Sequence, residues 1–169
     1  TSMDAQEKTL TCTSLNDECK IHYEHAVLAF GNRAKLDLIP GMAEHALPLK
    51  TVGDAMHIRN IVLRRIARME LETDPKKLMS LGHFVVIGGG FSGAEVAGEL
   101  VDCLHSVQHY YPLVNPKDLK VTILHNQDRM LLELPEKLGI AAAKSLSKRG
   151  VDIRLGAGCL LYTSDAADD

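Results

Sequence analysis

Apolar positions along the 169 residues change their period several times, and each change marks an element. Alternation over 8–12 and 20–23, around the turn-rich Ser14-Leu15-Asn16-Asp17, predicts two short strands. A more apolar run, His25-Ala26-Val27-Leu28-Ala29-Phe30, stops at Gly31 and predicts a third. Residues 32–48 are irregular, with Pro40-Gly41 as a turn signal and Pro48 marking the crossing into another unit. From Thr51 the period becomes helical. Thr51 and Asp54 have capping-box spacing, and Ala55, Ile58, Val62, Ile66 and Met69 form one apolar stripe. Arg59, Arg64, Arg65 and Arg68 read as the solvated face of that helix, and Pro75 as its end.

The pattern then shortens to a β-branched apolar strand at 83–87, passes through Gly88-Gly89-Gly90-Phe91-Ser92-Gly93, and returns to helical spacing over 92–109. The apolar run suits a buried parallel strand. Tyr110-Tyr111-Pro112 breaks the helix, and Asn115-Pro116-Lys117-Asp118 is a turn. A second strand follows at 120–125. Pro135 suits a first helical position, a helix covers 136–149 with Gly150 as its stop, and a third strand covers 151–155. The order βαβαβ is half of a doubly wound sheet, so the class is α/β with a partial Rossmann-like nucleotide-binding unit.

The turn between the first strand and helix of that unit carries the candidate chemistry. Gly88, Gly90 and Gly93 fit G-x-G-x-x-G. In a dinucleotide site the first glycine permits the tight turn, the second the close approach of a pyrophosphate, and the third the packing of helix on strand. The helix amides and the positive end of its dipole then meet the phosphates. Gly89, Phe91 and Ser92 complete the loop, and Ala97 keeps the helix close to the strand one turn later. The second strand of such a unit usually ends in an acidic residue for the adenosine ribose, and here that place falls on His125. A neutral imidazole hydrogen-bonds a ribose hydroxyl, whereas a protonated one meets a 2′-phosphate, so NADH is preferred only modestly over NADPH.

Composition narrows the class without naming a chemistry. The chain is 46% hydrophobic and 24% charged, with no apolar run of membrane-spanning length. It has no basic run and no Trp, so nothing points to nucleic acid. Residues 159–169 read as translated sequencing-adapter sequence and are set aside. Without Asp165, Asp168 and Asp169 the acidic count falls from 22 to 19, equal to the 19 Lys and Arg, so the net charge of −3 carries no information about partners. Cys12 and Cys19 match neither a CxxC redox pair nor a metal clip. They are placed to face each other across a hairpin, with free thiols expected in a reducing cytosol. Cys103 reads as a small buried apolar residue. His105 and His109, four apart on a helix, have metal-binding spacing but no further ligand beside them, so no metal is expected.

The run Val86-Ile87-Gly88-Gly89-Gly90-Phe91-Ser92-Gly93-Ala94-Glu95-Val96-Ala97-Gly98-Glu99-Leu100 resembles the nicotinamide-nucleotide loop of type II NADH dehydrogenases, single-chain flavoenzymes that pass electrons from NADH to quinone. Ile39-Pro40-Gly41-Met42-Ala43-Glu44-His45-Ala46-Leu47-Pro48-Leu49-Lys50, Tyr111-Pro112 and Leu134-Pro135-Glu136-Lys137-Leu138 fit the same pattern, so the resemblance runs over about 21–158. It implies an NAD(P)H domain inserted into an FAD domain. Residues 1–50 are then the β-rich close of a first FAD-binding segment and 51–158 an incomplete NAD(P)H-binding domain. Ala29-Phe30-Gly31 is similar to the family's Ala-Thr-Gly turn beside FAD, with Phe30 in place of the usual Thr, and Gly31 is the residue carried over.

Glu95 matches a family glutamate near the flavin–nicotinamide contact, where it positions the nicotinamide or relays protons near the quinone. The resemblance makes it the candidate catalytic residue. A carboxylate in the first helical turn is also favoured by the helix dipole alone. The cofactors implied are FAD and NAD(P)H, and the partner a quinone or similar acceptor. The location implied is cytoplasmic, with peripheral contact at the inner face of the cell membrane for the longer protein. The chain itself reads as an inactive internal piece with at most weak NAD(P)H binding. The alternatives are a flavoenzyme reducing ferredoxin or a disulfide, and a nucleotide-sensing domain without turnover.

Overall fold

The computed structural model describes residues 1–14, 17–37 and 39–157; the expected adapter-derived tail lies outside them. The chain divides into two compact units, Thr1–Arg33 and Ala34–Asp169.

The first unit is a three-stranded antiparallel meander of β1 (Ser2–Asp4), β2 (Thr9–Thr13) and β3 (Glu18–His22). Strand β1 was not expected from the sequence. Its turn is built by Asp4, whose carboxylate accepts from the amides of Gln6 and Glu7 at 2.9 and 3.0 Å. Cα partners Leu10↔Ile21 and Cys12↔Cys19 place the apolar positions of β2 and β3 on one face, with Thr9, Thr11 and Thr13 on the other. The strand expected over 25–31 does not form. Val27 is 90% and Phe30 87% exposed, and no strand among the described residues pairs with the segment. A strand apolar on both faces needs neighbours and covering layers that this unit does not supply. Gly31 keeps its expected turn character, at φ +72°.

The second unit starts with the single turn α1 (Met42–His45) behind Gly41, then α2 (Val52–Met69) and α3 (Pro75–Gly82). Thr51 and Asp54 form the reciprocal capping box at the start of α2. Of the apolar stripe, Val62, Ile66 and Met69 are buried, Ile58 packs beside them, and Ala55 is exposed. Pro75 does not terminate α2. It opens α3 as its first residue, with the Asp74 side chain capping the amide of Lys76, because the missing proline amide costs nothing there. Arg65 also departs from the solvated face assigned to it. Its guanidinium donates to the carbonyls of Ser80 and Leu81 and lies 5.3 Å from the Phe84 ring centre, so it ties α2 to the end of α3. Burial lowers the pKa of this side chain, and Arg68 adds to the effect.

The remaining elements are β4 (His83–Ile87), α4 (Phe91–Val107), β5 (Lys120–Leu124), α5 (Glu136–Lys148) and β6 (Val151–Arg154). The three strands pair in parallel in the order β4-β5-β6, the expected half of a doubly wound sheet. Phe84, Val121, Ile123 and Val151 share one core with Ala97, Val101 and Leu104 of α4 and Val62, Ile66 and Met69 of α2. The opposite face is less covered than the apolar run implied, with Val85 48% and Ile87 49% exposed. His83 Nε2 lies 2.8 Å from the buried Thr122 hydroxyl on that face. Burial lowers the His83 pKa, and Lys120 and Arg154 push it the same way. Among the described residues no helix is long and apolar enough to cross a membrane.

Candidate functional site

Strand β4 ends at Ile87 and helix α4 begins at Phe91, so Gly88, Gly89 and Gly90 make the whole turn. Each glycine answers a different demand. Gly88 sits at φ +106°, a conformation that side chains rarely adopt. A Cβ on Gly93 would overlap the Gly88 carbonyl oxygen, so backbone meets backbone where the helix crosses the strand. Ala97, fully buried, continues that close approach. At Gly90 the φ is an ordinary −77°, and a Cβ would meet nothing within 4 Å. Neither folding nor packing requires glycine there; what the residue leaves is open space at the start of a 17-residue helix. The first in-helix bond runs from the Ala94 amide to the Gly90 carbonyl. The amides of Phe91, Ser92 and Gly93 therefore have no helical acceptor and stand at the positive end of α4.

His125 follows directly after β5 and is brought against this turn. The Gly89 amide donates to its Nδ1 at 3.1 Å, which leaves the proton of the neutral ring on Nε2. The Gly89 carbonyl in turn accepts from the Leu131 amide at 2.9 Å. Gly89 is thus held on both sides by the segment that follows β5, and a Cβ there would come within 2.9 Å of the His125 ring.

Two residues that sequence reasoning missed build that segment. Arg129 donates through Nη1 to the carbonyls of Leu131 and Leu134, and through Nη2 to that of Leu132. Leu131, 5% exposed, takes φ +53°, a left-handed conformation unusual for a branched apolar side chain. No local pattern announces either role, since both depend on how 129–134 curls back over the glycine turn. Gly98 is a third such residue. Its bare backbone admits the Arg149 guanidinium, which donates to the Gly98 carbonyl and pairs with both Asp102 carboxylate oxygens, joining α4 to the end of α5.

Phe91 is half exposed, and Ser92 is exposed beside it. Glu95 is the fifth residue of α4 and so lies just past the first turn in which it was expected. It is exposed on an open groove shared with Phe91, Leu131 and Arg149. Gly31 belongs to the first unit. His105 and His109 are exposed, and no group of three metal-ligating side chains occurs among the described residues.

The profile of the pyridine nucleotide-disulphide oxidoreductases matches residues 1–166. The chain belongs to this family. Within it, the chain is 31% identical to the external alternative NAD(P)H-ubiquinone oxidoreductase B4 of Arabidopsis thaliana mitochondria, over 96% of its own length and 29% of the relative's. It is also 31% identical to the type II NADH:quinone oxidoreductase Ndh of Mycobacterium tuberculosis, over 76% of its own length and 26% of that protein's. These relatives bear out the resemblance to type II NADH dehydrogenases read from the glycine turn. The fold is that of NDH2 from Plasmodium falciparum, solved in complex with NADH, with a TM-score of 0.78 and 20% identity over 89% of this chain and 31% of that one. The chain thus spans about three-tenths of the family members it matches.

Proposed function

We propose that the second unit is the NAD(P)H-binding part of a flavin-dependent dehydrogenase that passes reducing equivalents from NADH to a quinone. The observation that carries this reading is Gly90. A Cβ would point into open space there, while the three amides that follow lack helical acceptors. Glycine at such a point serves a ligand that must touch the backbone, and a pyrophosphate matches both the space and the donors. The residues present therefore fit a dinucleotide.

In this reading Gly90, Phe91, Ser92 and Gly93 hold the pyrophosphate through main-chain amides, and the α4 dipole favours its charge. Gly88 and Gly89 shape the turn. His125, with Nδ1 already engaged by Gly89, offers Nε2–H to an adenosine ribose hydroxyl. Glu95 orients the nicotinamide end or holds a proton near the acceptor. Gly31, by its left-handed turn, supplies close backbone approach for FAD in the first unit. The chemistry supplied by the bound groups is hydride transfer from nicotinamide to flavin and two-electron reduction of the quinone. The protein contributes binding, orientation and exclusion of water. Peripheral contact with the inner face of the cell membrane, where a quinone is reached, belongs to the same proposal for a protein of its relatives' length.

Titration of the purified chain with NADH, followed by calorimetry, tests the site. Saturable binding is expected, and Gly90→Val should abolish it while lowering stability only by the roughly 1 kcal/mol of a poorer N-cap. Equal affinity in the variant would overturn the assignment. Expressed within a protein of its relatives' length, the sequence should purify yellow with bound flavin. A colourless protein that still binds NADH would remove the flavoenzyme part and leave a nucleotide-binding domain.

A further inference from the structure

Cys12 and Cys19 are Cα partners in the antiparallel β2–β3 pair. The flanking bonds of the same ladder, Tyr23 amide to Lys8 carbonyl and Ser14 amide to Asp17 carbonyl, fix its phase. Hydrogen-bonded pairs alternate along an antiparallel ladder, so 8↔23, 10↔21, 12↔19 and 14↔17 are the hydrogen-bonded ones. Their Cα atoms lie about 5.5 Å apart, inside a disulfide's range. The Cβ atoms of a hydrogen-bonded pair, also about 5.5 Å apart, exceed the roughly 3.5–4.5 Å of a relaxed bridge. Closure therefore draws the two strands together locally and leaves a readily reduced bond. Directly opposed residues also project from the same face, so both thiols share the side occupied by Leu10 and Ile21. Both are free, Cys19 exposed and Cys12 half-buried.

From this register we infer that Cys12 and Cys19 form a reversible oxidation site, a dithiol that closes to a cross-strand disulfide when it meets a low-molecular-weight disulfide. The exposed Cys19 thiolate attacks one sulfur of the oxidant. The oxidant's S–S bond breaks, a mixed disulfide forms on Cys19, and one small thiolate leaves. The Cys12 thiolate then attacks the Cys19 sulfur and expels the second small thiolate. One oxidant is reduced to two thiols, which take up the two protons, and two protein thiols become one disulfide. Closure is intramolecular, so the effective concentration of Cys12 at the mixed disulfide far exceeds that of any free thiol, and the adduct does not accumulate. The ring pins the β2–β3 register covalently. Every residue in the site belongs to the first unit.

The test exposes the full chain to oxidised glutathione under native conditions, followed by intact mass and peptide mapping. A loss of two hydrogens is expected, mapped to a Cys12–Cys19 linkage and reversed by excess reduced glutathione. In Cys12→Ser the resolving thiol is gone, so the glutathione adduct on Cys19 should build up at least about tenfold over the unaltered chain. Glutathione retained on Cys19 of the unaltered chain, or linkage of either residue to Cys103 or Cys159, would overturn the inference. Capture by a monosubstituted arsenical, which needs two adjacent thiols, gives an oxidant-free reading. One equivalent should bind the unaltered chain and protect Cys12 and Cys19 from alkylation, and unprotected thiols would count against the pair.

Discussion

The amide of Gly89 donates to Nδ1 of His125 at 3.1 Å, joining two residues 36 positions apart. The bond gives a buried main-chain donor its partner and holds the centre of the glycine turn against the end of β5. His125→Ala leaves that amide without an acceptor, at a cost of about 1–3 kcal/mol. Urea unfolding should show this as a lower midpoint with an unchanged slope, and NADH affinity should fall with it. Asn at 125, which keeps a short acceptor, should recover part of both.

Gly90 and Gly93 should respond in opposite ways to the same methyl group. Gly93→Ala drives its Cβ into the Gly88 carbonyl oxygen, and backbone cannot yield there as a side-chain tip can. A loss of about 3 kcal/mol or more is expected, read by thermal unfolding. Gly90→Ala meets nothing within 4 Å and should lose no more than the roughly 1 kcal/mol of a poorer N-cap while binding NADH more weakly. Equal stability of the two variants would contradict the close helix–strand crossing.

Arg129→Met keeps much of the side chain's bulk but removes donors from the carbonyls of Leu131, Leu132 and Leu134. A loss of about 1–3 kcal/mol is expected. Hydrogen exchange should quicken at Leu131, whose amide bonds Gly89, before it quickens in β4 or β5.

Acid should weaken the second unit in two stages. The His83 pKa is lowered by burial and by Lys120 and Arg154, so the folded protein takes up this proton less readily than the unfolded chain. Its contribution is complete above the ordinary histidine value of about 6.5 and is lost as pH falls below that value toward the lowered one. Asp54 and Asp152 act at lower pH. Amides of Thr51 and Lys50 lower the Asp54 pKa. At Asp152 burial acts upward, but hydrogen bonds from Arg154 and Lys120 outweigh it. Both carboxylates contribute above the ordinary aspartate range, and that contribution disappears as pH falls through their lowered values. In His83→Gln the decline of the midpoint just below pH about 6.5 should flatten, while the acid limb stays.

The parts of the fold legible in the sequence are those set by neighbours along the chain. The switch from β-branched strand to glycines to helical spacing located β4 and the start of α4 within a residue, and Thr51 with Asp54 located the start of α2. Pro75 was misread because proline both ends one helix and opens the next, and only Asp74, placed to cap, distinguishes the two. The run at 25–31 has strand composition, but composition cannot provide the partner strands that a buried strand needs. Arg65 looked solvated because helical spacing says nothing about the carbonyls of Ser80 and Leu81 that come to meet it. Within the site, the spacing of Gly88, Gly90 and Gly93 was readable. The clasp of His125, Arg129 and Leu131 around Gly89 was not, since it is made by a loop folding back across the sheet edge.

The Gly93–Gly88 contact also bears on how the sequence can vary. It fixes where the helix starts by main chain alone, and the amides that follow without helical acceptors, the proposed phosphate donors, are main chain as well. Side chains at 91 and 92 are therefore free to be exchanged with little effect on the donors themselves. Substitution at these two positions can retune the rim of the proposed site, its bulk and polarity, while the main-chain floor is inherited unchanged.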